Sequence, residues 1–201
     1  ERLGRLQAEH LEDADAAVAS YRAVLERDPR NRRALEALRR LHAARNEGEA
    51  LAGVLRRLIP LQEDARGVKA VRLELAETLA AAGRREEAVE NGKRVLDLEP
   101  HDLPQLQRVE LLFRDLNAWP EVIRTMELQA PLLAADEELV VDLWRGVARL
   151  WEEQLQRREG AAAALEKILE RRLDEEAFDR LRAIYRDVAD WRRYAQVTER
   201  F

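Results

Sequence analysis

Residues 75–100, LAETLAAAGRREEAVENGKRVLDLEP, decide the fold. Leu75, Ala76 and Leu79 recur at helical spacing, Gly83 interrupts them, and Ala88, Val95 and Leu96 resume the spacing before Glu-Pro-His-Asp at 99–102 breaks it again. The stretch reads as two helices, near 67–82 and 84–98, joined by a short turn. The same alternation of stripe and break runs outward in both directions. Leu35, Leu38, Leu41 and His42 form one stripe and Phe178, Leu181, Ile184 and Tyr185 another, with Asp-Pro-Arg-Asn at 28–31 and Asp174-Glu175-Glu176 as punctuation. Asn31, Asp102, Asp136 and Asp174 are the expected N-caps, because a short polar side chain can accept a bond from an otherwise unpaired N–H of the first turn. Further helices are expected near 2–11, 13–28, 31–45, 47–62, 102–115, 118–133, 136–155, 158–171, 174–188 and 190–201.

Self-comparison exposes a longer period. Shifted by 71 residues, Ala17 falls on Ala88, Leu25 on Leu96, Pro29 on Pro100, His42 on Phe113, Leu51 on Val122 and Pro60 on Pro131. Shifted by 143 or 144, Ala17 falls on Ala161, Leu25 on Leu169, Leu38 on Leu181, His42 on Tyr185, Leu51 on Tyr194 and Leu58 on Phe201. Three copies result, about 1–66, 67–134 and 135–201, each of two hairpins. One hairpin cannot bury its apolar face alone, so neighbours must stack and share a core.

Carried by these residues, the sequence resembles the tetratricopeptide repeat family. Trp144, Val147, Ala148 and Trp151 match the opening of that pattern, and Ala161, Leu165, Ile168 and Leu169 match its second helix. Leu75, Ala76, Leu79, Gly83, Ala88, Val95, Leu96 and Pro100 make the fullest match. The second hairpin of each copy departs from it, placing Leu51, Val122 and Tyr194 where a small packing residue is usual. The resemblance covers the whole chain and implies an all-α fold: a right-handed α-solenoid of about six antiparallel hairpins, about twelve helices, as one domain over 1–201. It also implies a protein-binding groove lined by the first helices. Carried over by position, the groove exposes Arg33, Glu36, Arg40, Glu77, Gln107, Leu111, Arg145, Arg149 and Asp179, and it takes a peptide or a partner helix. Family members that clamp a C-terminal carboxylate use Lys and Asn on these helices. No Asn lies inside a first helix here, which argues against that specialised role.

Composition narrows the function. An apolar fraction of 46% can fill a core, while 8 Gly and 6 Pro supply few turns. No apolar run approaches the length of a membrane span of about 20 residues. The net charge of -5 opposes nucleic acid, because phosphate binders usually present a basic face. Of the 35 basic residues only Lys69, Lys93 and Lys167 are lysine, which fits a GC-rich bacterial genome. With no cysteine there is neither disulfide nor thiolate site, and the compartment stays open, cytoplasmic being the default.

The chemistry of sites is equally thin. Ser20, alone of its kind, lies inside a predicted helix with no base placed beside it. His10, His42 and His101 form no His-x-x-x-His or Glu-x-x-His pair, so neither a metal nor a cofactor is expected. His42 shares the register of Phe113 and Tyr185 and is expected in the core. Trp119, Trp144, Trp151 and Trp191 sit at apolar repeat positions and are expected there too. The acidic pairs at Glu86, Glu137, Glu152 and Glu175 are explained by helix starts and solvated faces. The expectation is a scaffold for protein partners and not an enzyme, with RNA binding or a regulatory arm of a larger enzyme as the alternatives. The ends lack the polar face of a capping repeat. Leu3, Leu6, Tyr194, Val197 and Phe201 are expected to leave apolar surface there, with the native protein continuing past both ends and the chain associating end to end.

Overall fold

The computed structural model describes residues 14–99 and 101–200. Among the described residues it contains eleven α-helices and no strand. The expected helix at 2–11, with Leu3, Leu6 and His10, lies outside the described residues, as does Phe201. The chain forms two compact units, 1–100 and 101–201, whose boundary falls between the two hairpins of the second copy. In the first unit are α1 (Ala14–Arg27), α2 (Arg32–Ala44), α3 (Gly48–Leu58), α4 (Ala65–Ala81) and α5 (Arg85–Leu96). In the second are α6 (Leu103–Asp115), α7 (Trp119–Gln129), α8 (Glu137–Glu153), α9 (Arg158–Leu169), α10 (Glu175–Asp187) and α11 (Trp191–Arg200). Within each unit every helix packs on its neighbours in sequence.

Helix starts and stops follow a rule visible in the side chains. First helices open on an acid or amide cap: Asn31 accepts from the Ala34 N–H at 3.0 Å, Asp102 from Gln105 at 3.0 Å, Asp136 from Leu139 at 3.1 Å and Asp174 from Ala177 at 3.0 Å. Asp64, which the sequence reading passed over, does the same for Gly67 at 2.7 Å. The second helices α3, α5, α7 and α9 have no such cap. They begin directly out of the closing turn of the helix before. In that turn the Glu47 N–H donates to the His42 carbonyl at 2.9 Å, Arg84 to Leu79 at 2.9 Å and Ala118 to Phe113 at 2.8 Å. Asp190 to Tyr185 at 2.9 Å does the same before α11, where Asp190 also caps the helix by accepting from the Arg193 N–H at 3.1 Å. α9 follows a wider turn, with Gln156 at φ 53°, in which Arg157 donates to Trp151 at 2.9 Å. Each turn needs a left-handed residue just past the helix. Asn46 (φ 54°), Gly83 (φ 75°), Asn117 (φ 52°) and Ala189 (φ 57°) fill that place.

Alanine is the costly choice of the four, because its Cβ crowds the carbonyl in this conformation. Ala189→Gly is therefore expected to stabilise the protein by about 0.5–1 kcal/mol, the relief of strain exceeding the extra entropy glycine loses. A denaturant midpoint unmoved or lowered by this substitution would contradict the strain.

The double-hairpin period is built into helix length. α2, α6 and α10 have 13 residues, whereas α4 and α8 have 17. The helices following the short ones, α3 and α7, tighten into 3₁₀ turns over Ile59–Leu61 and Ala130–Leu133 that contain Pro60 and Pro131. A proline inside an α-helix removes a hydrogen bond and clashes with the preceding turn, so these helices end there.

The repeat register is also the core register. Ala17, Ala88 and Ala161 are fully buried, as are Leu35, Leu79, Phe113, Val122, Val147 and Leu165. The pairs α4/α5 and α8/α9, with alanine at the hairpin contact, make the most extensive helix contacts. Tryptophan is where the reading fails. Trp119, Trp144 and Trp151 are half-buried, and Trp191 is 61% exposed instead of lying in the core. The reason is local: α8 packs over α7, the helix that Trp119 opens, whereas the main packing partner of α11 among the described helices is α10, the helix before it. Tyr194 and Val197 are half-buried, with Trp191 edge-on to Tyr194 at 6.1 Å.

Candidate protein-binding site

In the first unit Arg33, Glu36 and Arg40 follow one another at three- and four-residue spacing and share a face of α2. Arg33 and Arg40 are exposed; Glu36 and, on α4, Glu77 are half-buried. Glu36 is not available as drawn from the sequence, because Arg39 Nη1 donates to it at 3.1 Å. The same guanidinium reaches across to Glu74 on α4, with Nε donating to Oε1 at 2.9 Å and Nη2 to Oε2. This two-point fork fixes one first helix against the next, and its hydrogen bond to Glu74 raises the Arg39 pKa above its ordinary value. Sequence reasoning missed the pair. The signal available was opposite charge 35 residues apart, one hairpin length.

In the second unit Gln107 and Leu111 are exposed on α6, Arg149 on α8 and Asp179 on α10. Leu111, at 62% exposure, is a large apolar side chain turned to solvent. Arg145 is half-buried and committed: it donates to Asp142 at 2.9 Å and to Asp174, the cap of α10, at 2.6 Å. It positions α10 on α8. None of the nine predicted residues is buried.

One turn beyond Arg149 and Asp179 a cleft of about 560 Å³ opens, lined by Glu152 on α8, Arg158 on α9, and Arg180, Ala183, Ile184 and Asp187 on α10. Glu152 and Ala183 lie three and four residues past Arg149 and Asp179, so the cleft continues the same two helical faces. Its charges are internally matched, Arg180 donating to Glu152 and Arg158 lying 3.2 Å from Asp187. Such a site offers hydrogen-bonding groups of both signs around an apolar floor of Ala183 and Ile184. It has no excess of either charge.

Among the described residues no group of three or more His, Asp or Glu side chains could hold a metal ion. Ser20 is half-buried within α1.

No protein-family model matches the sequence, and no curated protein matches it. Among solved structures the chain is similar to MamA, with a TM-score of 0.50 and 16% identity over 84% of this chain and 93% of that one. It is also similar to a tetratricopeptide repeat protein from Parabacteroides merdae ATCC 43184, at a TM-score of 0.48 and 16% identity over 99% and 75% of the two chains. A third likeness is to BtubC (BKLC) from P. vanneervenii, at 0.44 and 16% over 96% and 88%. Identity at this level speaks to fold alone. The fold is that of a tetratricopeptide-like, all-α helical repeat.

Proposed function

We propose that the chain is a non-enzymatic scaffold that holds a peptide or a partner helix on the faces of its first helices. The observation that carries this reading is the cleft between α8 and α10, which extends the face bearing Arg149 and Asp179. In the same unit Leu111 supplies an exposed apolar anchor. Arg149 and Asp179 are placed to orient polar groups of a bound chain, and the matched charges of the cleft suit a backbone better than a phosphate. In the first unit, taken by itself, Arg33 and Arg40 stand about two turns apart on a first-helix face of α2. The formal charge of -5 weighs against RNA as the occupant.

The test is selection of binding peptides from a random display library, followed by affinity measurement on variants. Leu111→Glu and Arg149→Glu are expected to weaken the selected peptides about tenfold or more, as removal of an interface anchor does. Arg94→Glu, on the second helix α5, should not. Arg40→Ala should leave the melt unchanged to within about 0.5 kcal/mol, since exposed charges contribute little to stability. Peptides weakened only by second-helix variants would overturn the assignment.

A further inference from the structure

The first and third copies fill one place, where a first helix meets the second helices on either side of it, with different residues. In the third copy the space between α9, α10 and α11 is occupied by Tyr185, which is buried, and its hydroxyl donates to Glu166 Oε1 at 2.5 Å. Burial, and then that bond, raise the Tyr185 pKa. The Arg193 guanidinium lies 5.9 Å from the ring centroid and covers it. Ring, carboxylate and guanidinium together fill the site.

In the first copy each of these groups is replaced. His42 stands for Tyr185, and its Nδ1 is held 2.5 Å from Glu47. Ala50 stands for Arg193, Gly53 for Gln196 and Arg22 for Glu166. The result is a cleft of about 460 Å³ among α1, α2 and α3, lined by Leu25, Leu38, His42 and Val54, with Ala50 and Gly53 in its wall and the charged Arg22, Glu26 and Arg57 around it. Nothing in the packing requires glycine at 53, because a Cβ there would meet no atom within 4 Å. Glycine inside a helix costs about 1 kcal/mol relative to alanine. Its effect here is to keep the wall low. The volume falls in the range of small-ligand sites, about 300–1,000 Å³.

We propose that this cleft receives a tyrosine side chain from a protein partner, in the place that Tyr185 and Arg193 fill internally in the third copy. The ring rests on Leu25, Leu38 and Val54. Arg22 has donors and no acceptor, and Glu26, one turn on in the same lining, is an acceptor, so a phenol hydroxyl can accept from the one and donate to the other, where in the internal site it only donates to Glu166. A phenylalanine can make neither bond. The site lies on the second-helix side of the hairpins and is independent of the first-helix face proposed above.

The experiment is an NMR titration of the ¹⁵N-labelled chain with N-acetyl-L-tyrosinamide and, separately, N-acetyl-L-phenylalaninamide. Saturable shifts of the Gly53 and Val54 amides are expected with the tyrosine compound, and an affinity several-fold lower with the phenylalanine one. Ala50→Arg combined with Gly53→Gln restores the third-copy residues and should abolish the shifts; Gly53→Gln alone, on an exposed helical position, should reduce them if the double variant folds poorly. Arg22→Leu combined with Glu26→Leu, which removes both polar partners of the hydroxyl, should bring the two compounds to equal affinity. Absence of saturable shifts, or shifts that survive refilling of the cleft, overturns the site. Equal affinity of the two compounds for the unsubstituted chain overturns the assignment to tyrosine.

Discussion

Replacing Phe113 with alanine is expected to lower stability by about 3–5 kcal/mol, the cost of deleting a large buried side chain and leaving its cavity. The ring has no solvent exposure, and it stands where α6 closes, its carbonyl accepting from Ala118. Loss of the ring therefore removes core volume at the point where α6 hands over to α7. Phe113→His is the discriminating companion. His42 holds the equivalent place in the first copy because Glu47, five residues on, reaches its Nδ1. The residue five past Phe113 is Ala118, which has no polar side chain. A histidine at 113 would bury an imidazole without that partner, costing about 1–3 kcal/mol for the unsatisfied group in addition to lost volume. Chemical denaturation of both variants checks the argument, and a small loss for either would show that the site relaxes around the change.

Ala88→Phe is expected to cost about 1–3 kcal/mol through overpacking. Ala88 is fully buried on α5, in one of the two hairpins whose helices make the most extensive contacts. Leu51 and Val122 occupy the corresponding place in α3 and α7. Large residues are thus tolerated there only in the hairpins opened by a 13-residue first helix. Ala88 follows the 17-residue α4 and has no solvent exposure. Ala81→Phe, on an exposed position of the same α4, serves as the control and should leave the melt within about 0.5 kcal/mol. An unchanged melt for Ala88→Phe would remove this residue from the hairpin contact and break the repeat register.

Much of this was legible in the sequence because helical repeats encode each contact several times. Ala17, Ala88 and Ala161 point to one packing place from three copies, and all three are buried. The caps at Asn31, Asp102, Asp136 and Asp174 could be named since a short polar side chain before an apolar stripe has one physical use. What could not be read depends on neighbours rather than on register. Trp191 shares the register of Trp119 yet is exposed, because burial is conferred by the next helix and not by the residue itself. Glu36 and Arg145 were expected to face a ligand. Arg39, three residues on in the same helix and held across to Glu74 on α4, reaches Glu36, and Asp174, the cap of the next first helix, reaches Arg145. The clefts escaped the reading for the same reason: their walls join helices whose separation no single stripe reports.

The central claim, a scaffold that binds through its first-helix faces, is tested most directly by mapping one selected peptide on the ¹⁵N-labelled chain. The account predicts shifts concentrated at Leu111, Arg149, Asp179 and the cleft residues Glu152 and Ala183, with α9 and α11 unmoved apart from the cleft edge. Shifts confined to the second helices, or a peptide bound without perturbing α8 and α10, would contradict it.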